Sequence, residues 1–299
     1  MFKNYSILLA IGIIWGSQFI FQELSLASFH PVWIGAFRAT LGACTLGLIC
    51  KISGLKGSNP QWLLFTVIAL LEAVIPFVLI PWAQQELSSS ITAIMMGTLP
   101  LYTLLLAPIF IKGATISQGN LASIMIGFSG LLILFYPDIS LGLGEINIMS
   151  VLAILLATAC FATALLLLNR VRSEHPLIVA RNVLSMATIQ LLVIAFLTTP
   201  LDGTQPTTSS LLSLVYLGVM CAGVVYYLYM LSVKNAGAVF TSMTNYLVPT
   251  VGVFIGVLIS GEAVKNTTWL ALAIILLALL FNQVLENKSD RINPQPDET

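Results

Sequence analysis

Residues 80–112 of the chain read IPWAQQELSSSITAIMMGTLPLYTLLLAPIFIK. Two apolar segments meet here at a polar hinge, and the second segment carries Pro100 in its middle. A similar stretch, residues 230–262, reads MLSVKNAGAVFTSMTNYLVPTVGVFIGVLISGE and carries Pro249. Placing Pro100 on Pro249 aligns the two stretches at an offset of 149 residues (249 minus 100) in a chain of 299. We therefore interpret the chain as an internal repeat, with two copies of one structural unit.

The composition indicates a membrane protein. Hydrophobic residues make up 58% of the chain and charged residues 8%, and the mean hydropathy is +0.98. Soluble chains carry about 25% charged residues. Apolar runs of about 18 residues or more recur along the whole length, which is what a helix needs to cross the hydrocarbon core. The pattern predicts a polytopic helical membrane protein.

Hydropathy predicts ten membrane spans. They lie at approximately 5–22, 31–50, 61–83, 90–111, 119–136, 148–168, 177–197, 209–230, 237–259 and 268–286. The first span is too long for a cleaved signal peptide and is followed at once by another span. The spans predict two five-helix repeats, at 1–144 and 145–287, and we expect 288–299 to be a disordered cytoplasmic tail.

The basic residues predict that both termini face the cytoplasm. With the N-terminus inside, most of the twelve Lys and Arg residues fall on the inside, namely Lys3, Lys51, Lys56, Lys112, Arg170, Arg172, Lys234, Lys288 and Arg291. Lys265 falls outside, and Arg38 and Arg181 fall within spans. This bias is the one that orients membrane proteins.

An odd number of spans in each half predicts that the halves are inverted. The second five-helix unit then enters the membrane from the opposite side, related to the first by a pseudo-two-fold axis in the membrane plane. The pairs His30-Pro31 and His175-Pro176, which open spans 2 and 7, extend the correspondence. We therefore predict an all-α fold of ten transmembrane helices in two inverted repeats.

Several short motifs occur in the order typical of one transporter family. They are Trp15-Gly16, Arg38, the stretch 88–93 leading to Leu99-Pro100, its echo at 236–242 leading to Val248-Pro249, and Ser260-Gly261-Glu262. On these residues the chain resembles the drug/metabolite transporter superfamily, EamA branch. The first half departs from the family pattern, with Lys112-Gly113 and no Glu. The resemblance implies a central cavity between spans 1–4 and 6–9, with spans 5 and 10 at the periphery.

Two charged residues within spans are candidate functional residues. Glu72 lies in span 3 with no other charge nearby in sequence, and a carboxylate costs about 2.5 kcal/mol or more in a membrane helix. At 1.5 Å per residue, Arg38 and Glu72 lie roughly 10 and 13 Å from the outer ends of their spans, at similar depth. One interpretation is a buried salt bridge between spans 2 and 3. The other is that Glu72 takes up protons or binds a substrate ammonium, with Arg38 as its partner or as the partner of a carboxylate.

Uncharged residues complete the predicted site. Pro100 and Pro249 predict helix bends, because proline removes a backbone hydrogen bond and strains the preceding turn. We expect Asn245 and Tyr246 to face the substrate. The remaining candidates for the polar and aromatic wall are Trp15, Gln18, Tyr102 and Tyr226.

Enzyme chemistry finds no support in the sequence. The HExxH, GxSxG, GxxxxGK[ST] and CxxC motifs are absent, and His30 and His175 fall on opposite faces of the predicted membrane. We expect the four cysteines to be packing residues. We also expect no metal, no cofactor and no nucleic-acid partner.

The sequence and the resemblance together predict a secondary transporter of the bacterial inner membrane. We expect it to export small metabolites, such as amino acids or related amphipathic compounds, by alternating access, with proton coupling or passive exchange both open. A carrier for nucleobase-like or cationic aromatic compounds is an alternative, and a channel-like facilitator is a weaker one. A monomer and a homodimer both fit this prediction.

Overall fold

The computed structural model describes residues 2–57, 61–141, 147–171, 174–199 and 205–292. These residues form helices and connections, and none of them lies in a β-strand. The ten helices are α1 Phe2–Leu26, α2 Pro31–Ile52, α3 Trp62–Ala83, α4 Ser89–Phe110, α5 Gln118–Leu141, α6 Ile148–Leu168, α7 Pro176–Thr198, α8 Thr208–Gly237, α9 Thr244–Ile259 and α10 Asn266–Ile292. Within the described ranges, all but α9 are long and apolar enough to cross a membrane. The prediction of an all-α polytopic membrane fold is confirmed.

Helix packing follows a pseudo-two-fold pattern. Helices α2 and α7 pack on each other, as do α4 and α9, and as do α5 and α10. The other main contacts occur as equivalent pairs, one in each half. The α1–α8 contact is equivalent to α6–α3, the α1–α9 contact to α6–α4, and the α2–α8 contact to α7–α3. If each helix is replaced by its equivalent in the other half (α1 by α6, α2 by α7, and so on), the same set of helix contacts results. The chain is therefore built from two inverted five-helix repeats.

The two His-Pro pairs begin equivalent helices by the same mechanism. His30 precedes α2, and its Nδ1 accepts a hydrogen bond of 3.4 Å from the Val32 amide. His175 precedes α7, and its Nδ1 accepts one of 3.2 Å from the Leu177 amide. The following proline occupies the first helical position, where its missing N–H costs nothing. Both histidines are therefore N-caps, in the role that Asn or Ser more often fills.

A π-helical turn interrupts α3 and α8 at equivalent places. The turns span Leu70–Val74 and Met220–Val224. Such turns are rare in proteins overall, but many of those that occur lie at functional sites. The extra residue rotates the following side chains around the helix axis. Glu72 is the third residue of the first turn, and Ala222 is the third residue of the second.

Helix α4 and the region of α9 are both broken, but at different points. Helix α4 has a turn at Gly97 and Thr98, directly before Leu99 and Pro100. In the second half, Gly237 at φ +85° ends α8, a helical turn follows at 238–241, and α9 begins at Thr244 with Pro249 inside it. Span 8 therefore continues beyond the predicted end at 230, and the predicted span 237–259 is not one continuous helix.

Close packing joins α1 to α9, whereas α5 and α10 lie apart from the centre. A Cβ added at Gly16 would lie 2.6 Å from the Cβ of Val251, so only glycine permits this approach. Helices α5 and α10 pack mainly on each other, and α10 continues to Ile292. The first residues of the predicted disordered tail are thus helical, and 293–299 lie outside the described residues.

Candidate functional site

A cavity of about 440 Å³ lies at the centre of the bundle. Helices α1 to α4 and α6 to α9 contribute side chains to its lining, and among the described residues none from α5 or α10 does so. Both inverted halves therefore enclose one space. Its volume falls in the range of pockets that hold small organic molecules.

Arg38 contributes a cationic group to this cavity. Its side chain is 5% exposed, and its guanidinium carbon lies 4.2 Å from the ring centroid of Phe77. The Nη2 atom donates a hydrogen bond of 2.6 Å to Oε1 of Gln18 on α1. The Nε atom has no hydrogen-bond partner among the described residues. Since a buried N–H group without a partner is costly, this side chain retains capacity to bind an anionic group.

Glu72 contributes an anionic group from the π-turn of α3. Its Oε1 atom accepts a hydrogen bond of 2.8 Å from the hydroxyl of Tyr226 on α8. This is its one hydrogen bond to the described part of the chain, and the side chain is partly accessible. Glu72 can therefore bind a cationic group or a proton with its second oxygen.

Arg38 and Glu72 line the same cavity but do not pair with each other. Within the described residues, each has a different polar partner, Gln18 for Arg38 and Tyr226 for Glu72. The structure therefore lacks the salt bridge that one interpretation of the sequence expected between spans 2 and 3. Two opposite charges instead face one space separately.

Most of the other predicted site residues also reach the cavity. The lining includes Trp15, Gln18, Tyr226, Asn245, Pro100 and Pro249. The Trp15 indole N–H donates a hydrogen bond of 3.3 Å to the carbonyl of Cys221. Its ring centroid lies 6.1 Å from that of Tyr226 and 5.6 Å from that of Tyr229. These three rings form an aromatic wall next to Glu72.

Tyr102 and Tyr246 point away from the cavity. The ring of Tyr102 packs edge-on against Phe128 of α5, at 5.2 Å between centroids. The hydroxyl of Tyr246 donates to the carbonyl of Leu279, at 3.0 Å, and lies 2.6 Å from Oε1 of Gln283. Both tyrosines thus hold the peripheral helices, and we exclude them from the proposed site.

Several lining residues escaped the sequence analysis. They include Phe77, Met96, Phe161 and Asn169. Apolar residues occupy every face of a membrane helix, so hydropathy does not distinguish an aromatic ring that lines a cavity from one that faces lipid. The aromatic partner of Arg38 became visible only with the packing of α2 on α3.

The cavity reaches one end of the bundle and is closed at the other. Its lining extends past the end of α6 to Asn169 and Val171 and includes Glu174 before α7. At the opposite end, the Gln84 side-chain amide donates a hydrogen bond of 3.0 Å to the carbonyl of Phe19, and Glu262 binds the start of α4. We call these the open end and the closed end.

The groups in the cavity are suited to binding a small molecule. Within the described ranges, no cluster of three His, Cys, Asp or Glu side chains is placed to hold a metal ion. Hydrogen-bond donors, the carboxylates of Glu72 and Glu174, and aromatic rings can recognise a small polar molecule and shield it from lipid.

Comparisons with known proteins agree with this architecture. The inner membrane transporter YedA of Escherichia coli (strain K12) is 23% identical over 278 residues, which cover 92% of this chain and 89% of YedA. A WAT1-related protein of Arabidopsis thaliana is 30% identical over 86 residues, which cover 29% of this chain and 23% of that protein.

The fold and the family follow from two further comparisons. A protein of known crystal structure superimposes with a TM-score of 0.69 at 16% identity, covering 96% of this chain and 99% of that one, which shows a shared fold. The model of the EamA-like transporter family matches residues 3–136 and 148–283. The chain belongs to the EamA-like transporter family.

Proposed function

We propose that the protein is a secondary transporter that moves small amphipathic metabolites, such as amino acids or related compounds, across the bacterial inner membrane. The inner membrane is inferred from the similarity to YedA. A cavity enclosed by two inverted halves, open at one end and closed at the other, supports alternating access. Two arrangements of one scaffold would then expose the same site to each side in turn.

One observation carries the choice of substrate. Within the described residues, the Nε–H of Arg38 and the second carboxylate oxygen of Glu72 have no hydrogen-bond partner, and both side chains line one cavity without pairing. A zwitterion presents a carboxylate to the first and an ammonium to the second. Binding of a zwitterion would give both charges a partner at once, which removes the cost of leaving them unpaired.

The aromatic wall favours a second candidate. Trp15, Tyr226 and Tyr229 lie beside the Glu72 carboxylate. A flat cation stacks on such rings and pairs with a carboxylate. A carrier of nucleobase-like or cationic aromatic compounds would use Glu72 and leave Arg38 without a ligand.

We further propose the direction and the coupling. The basic residues assign the open end and both termini to the cytoplasm. The structure would then be inward-facing, ready to take a metabolite from the cytoplasm for export. Glu72 would carry the coupling proton, because it is the acidic side chain beside the substrate at mid-membrane depth.

Binding of matched compounds tests the substrate class. The purified protein is screened by thermal shift against amino acids with different side chains. Each stabilising amino acid is then compared with its methyl ester, which lacks the carboxylate, and with its N-acetyl form, which lacks the ammonium. The zwitterion site predicts that both derivatives lose the stabilisation. Retention by the ester alone would support the cationic aromatic alternative, and retention by both would contradict the zwitterion site.

A further inference from the structure

Glu262 occupies the start of α4 at the closed end of the bundle. Its Oε1 atom accepts a hydrogen bond of 2.9 Å from the amide of Ser89, and its Oε2 atom accepts one of 3.1 Å from the amide of Ser90. Ser88 accepts from the next amide, that of Ile91. The amides that the helix itself leaves unpaired are therefore satisfied mostly by one carboxylate, whose charge also suits the positive end of the helix.

This carboxylate comes from the other half of the chain. Ser89 and Glu262 are 173 residues apart, and Gly261, at φ +66°, makes the turn that brings Glu262 back over α9. A Cβ added at Gly256 would lie 2.8 Å from Oε2 of Glu262, so α9 leaves room for the side chain. The hydroxyl of Ser89 also donates to a carboxylate oxygen of Glu23 on α1. Ser89 thus ties α1, α4 and the α9–α10 connection together.

Among the described residues, the inverted repeat shows no such contact at the open end. Gly113, after α4, has φ +86° and matches Gly261, which has φ +66° after α9, with a shift of one residue from the alignment of Pro100 on Pro249. The residue after Gly113 is Ala114, whereas the residue after Gly261 is Glu262. A methyl group cannot accept hydrogen bonds from a helix start. In the part of the chain that the structure describes, the contact therefore occurs at one end only.

We propose that Glu262 is a one-sided latch that holds the closed end shut and favours the state in which the opposite end is open. The latch presupposes the alternating access proposed above. Opening the closed end separates α4 from the α9–α10 connection, so the hydrogen bonds from Ser89 and Ser90 to Glu262 must break. Because Ala114 provides no counterpart, closing the open end gains no equivalent contact. The substrate-free protein is therefore mostly in the state in which the cavity is accessible from the open end and shut at the closed end.

Distance measurements across the closed end test the latch. Spin labels are attached through Gln85→Cys and Asn266→Cys, both at exposed positions beside the contact, in a background without the native cysteines. Glu262→Gln keeps the shape of the side chain but weakens the charge-assisted hydrogen bonds. We expect it to raise the population with long label separations about tenfold. The matched control, Glu86→Gln, removes an exposed charge at the same end and is expected to change nothing.

The outcomes separate the latch from the transport function. An unchanged distance distribution in a folded Glu262→Gln variant would overturn the latch. If Glu262→Gln does not fold, Glu262→Asp keeps the charge but shortens the reach, and the same long-distance population must rise. Absence of flux in the unmodified protein would overturn the proposed transport while the distances still report on the contact.

Discussion

Tyr226 donates a hydrogen bond of 2.8 Å from its hydroxyl to Oε1 of Glu72. The two residues lie 154 positions apart, on helices of opposite halves. The contact orients the carboxylate and leaves its second oxygen for a ligand. It also makes the site depend on the relative position of the two halves, which is what alternating access changes.

Removing this hydroxyl tests how the carboxylate is held. A hydrogen bond to a charged group contributes about 1.5–3 kcal/mol, so we expect Tyr226→Phe to raise the substrate Kd about tenfold or more. Tyr227→Phe, at the exposed neighbouring position, is the matched control and should bind normally. Titration of purified protein with a stabilising amino acid measures both. Equal affinities in the two variants would show that Tyr226 does not orient the site.

Arg38 is expected to recognise the substrate carboxylate. Arg38→Lys keeps the charge but loses the planar fork of N–H donors and the stacking on Phe77. We expect a loss of about tenfold in affinity for the zwitterion, with the already weak binding of its methyl ester unchanged. Arg181→Lys is the control, because Arg181 donates to the side chain of Asn182 rather than lining the cavity. A parallel loss for ester and zwitterion would instead indicate general damage to the site.

Glu72 is expected to make transport depend on pH. If its carboxylate binds and releases the coupling proton, flux through the unmodified protein changes with pH, whereas Glu72→Gln cannot take up a proton at this position. We therefore expect the rate of the variant to be independent of pH. Glu86→Gln, on the exposed α3–α4 connection, should retain the original profile. Identical pH profiles for Glu72→Gln and the unmodified protein would exclude Glu72 from coupling.

A larger residue at Gly16 is expected to lower the stability of the protein. The Cβ of Gly16→Ala meets Val251 at 2.6 Å, so α1 and α9 must move apart or strain. Overpacking of this kind costs about 1–3 kcal/mol, and we expect a lower Tm. Gly47→Ala is the control, since nothing lies within 4 Å of an added Cβ there, and its Tm should be unchanged or higher. A melting curve in detergent compares the two, and equal Tm values would contradict the close contact.

Much of the fold was predictable because membrane helices are long and uniformly apolar. The His-Pro pairs carried further information, since an N-cap residue followed by proline at the first helical position favours the start of a helix. The break before α9 was missed, because glycine adopts positive and negative φ about equally readily, so its presence at position 237 does not by itself predict a break. The π-turns at Leu70–Val74 and Met220–Val224 have no sequence signature.

The candidate site was predictable at positions where a charged residue lies within an otherwise apolar membrane span. Arg38 and Glu72 stood out because charges are rare within spans, and both line the cavity. Tyrosine is common in membrane helices for several reasons, so the sequence did not separate Tyr226, which reaches Glu72, from Tyr246, which holds α10. The partners of these side chains come from distant parts of the chain, and only the packing of the helices reveals them.

Counterflow in proteoliposomes tests alternating access most directly. Vesicles containing the purified protein are loaded with an unlabelled amino acid that stabilises it, and uptake of the labelled compound is followed from outside. A carrier exchanges one molecule for another, so we expect saturable uptake that internal substrate accelerates severalfold. We expect no acceleration when the vesicles contain the N-acetyl derivative in place of the amino acid. Uptake that neither saturates nor responds to internal substrate would contradict the account and would indicate a channel.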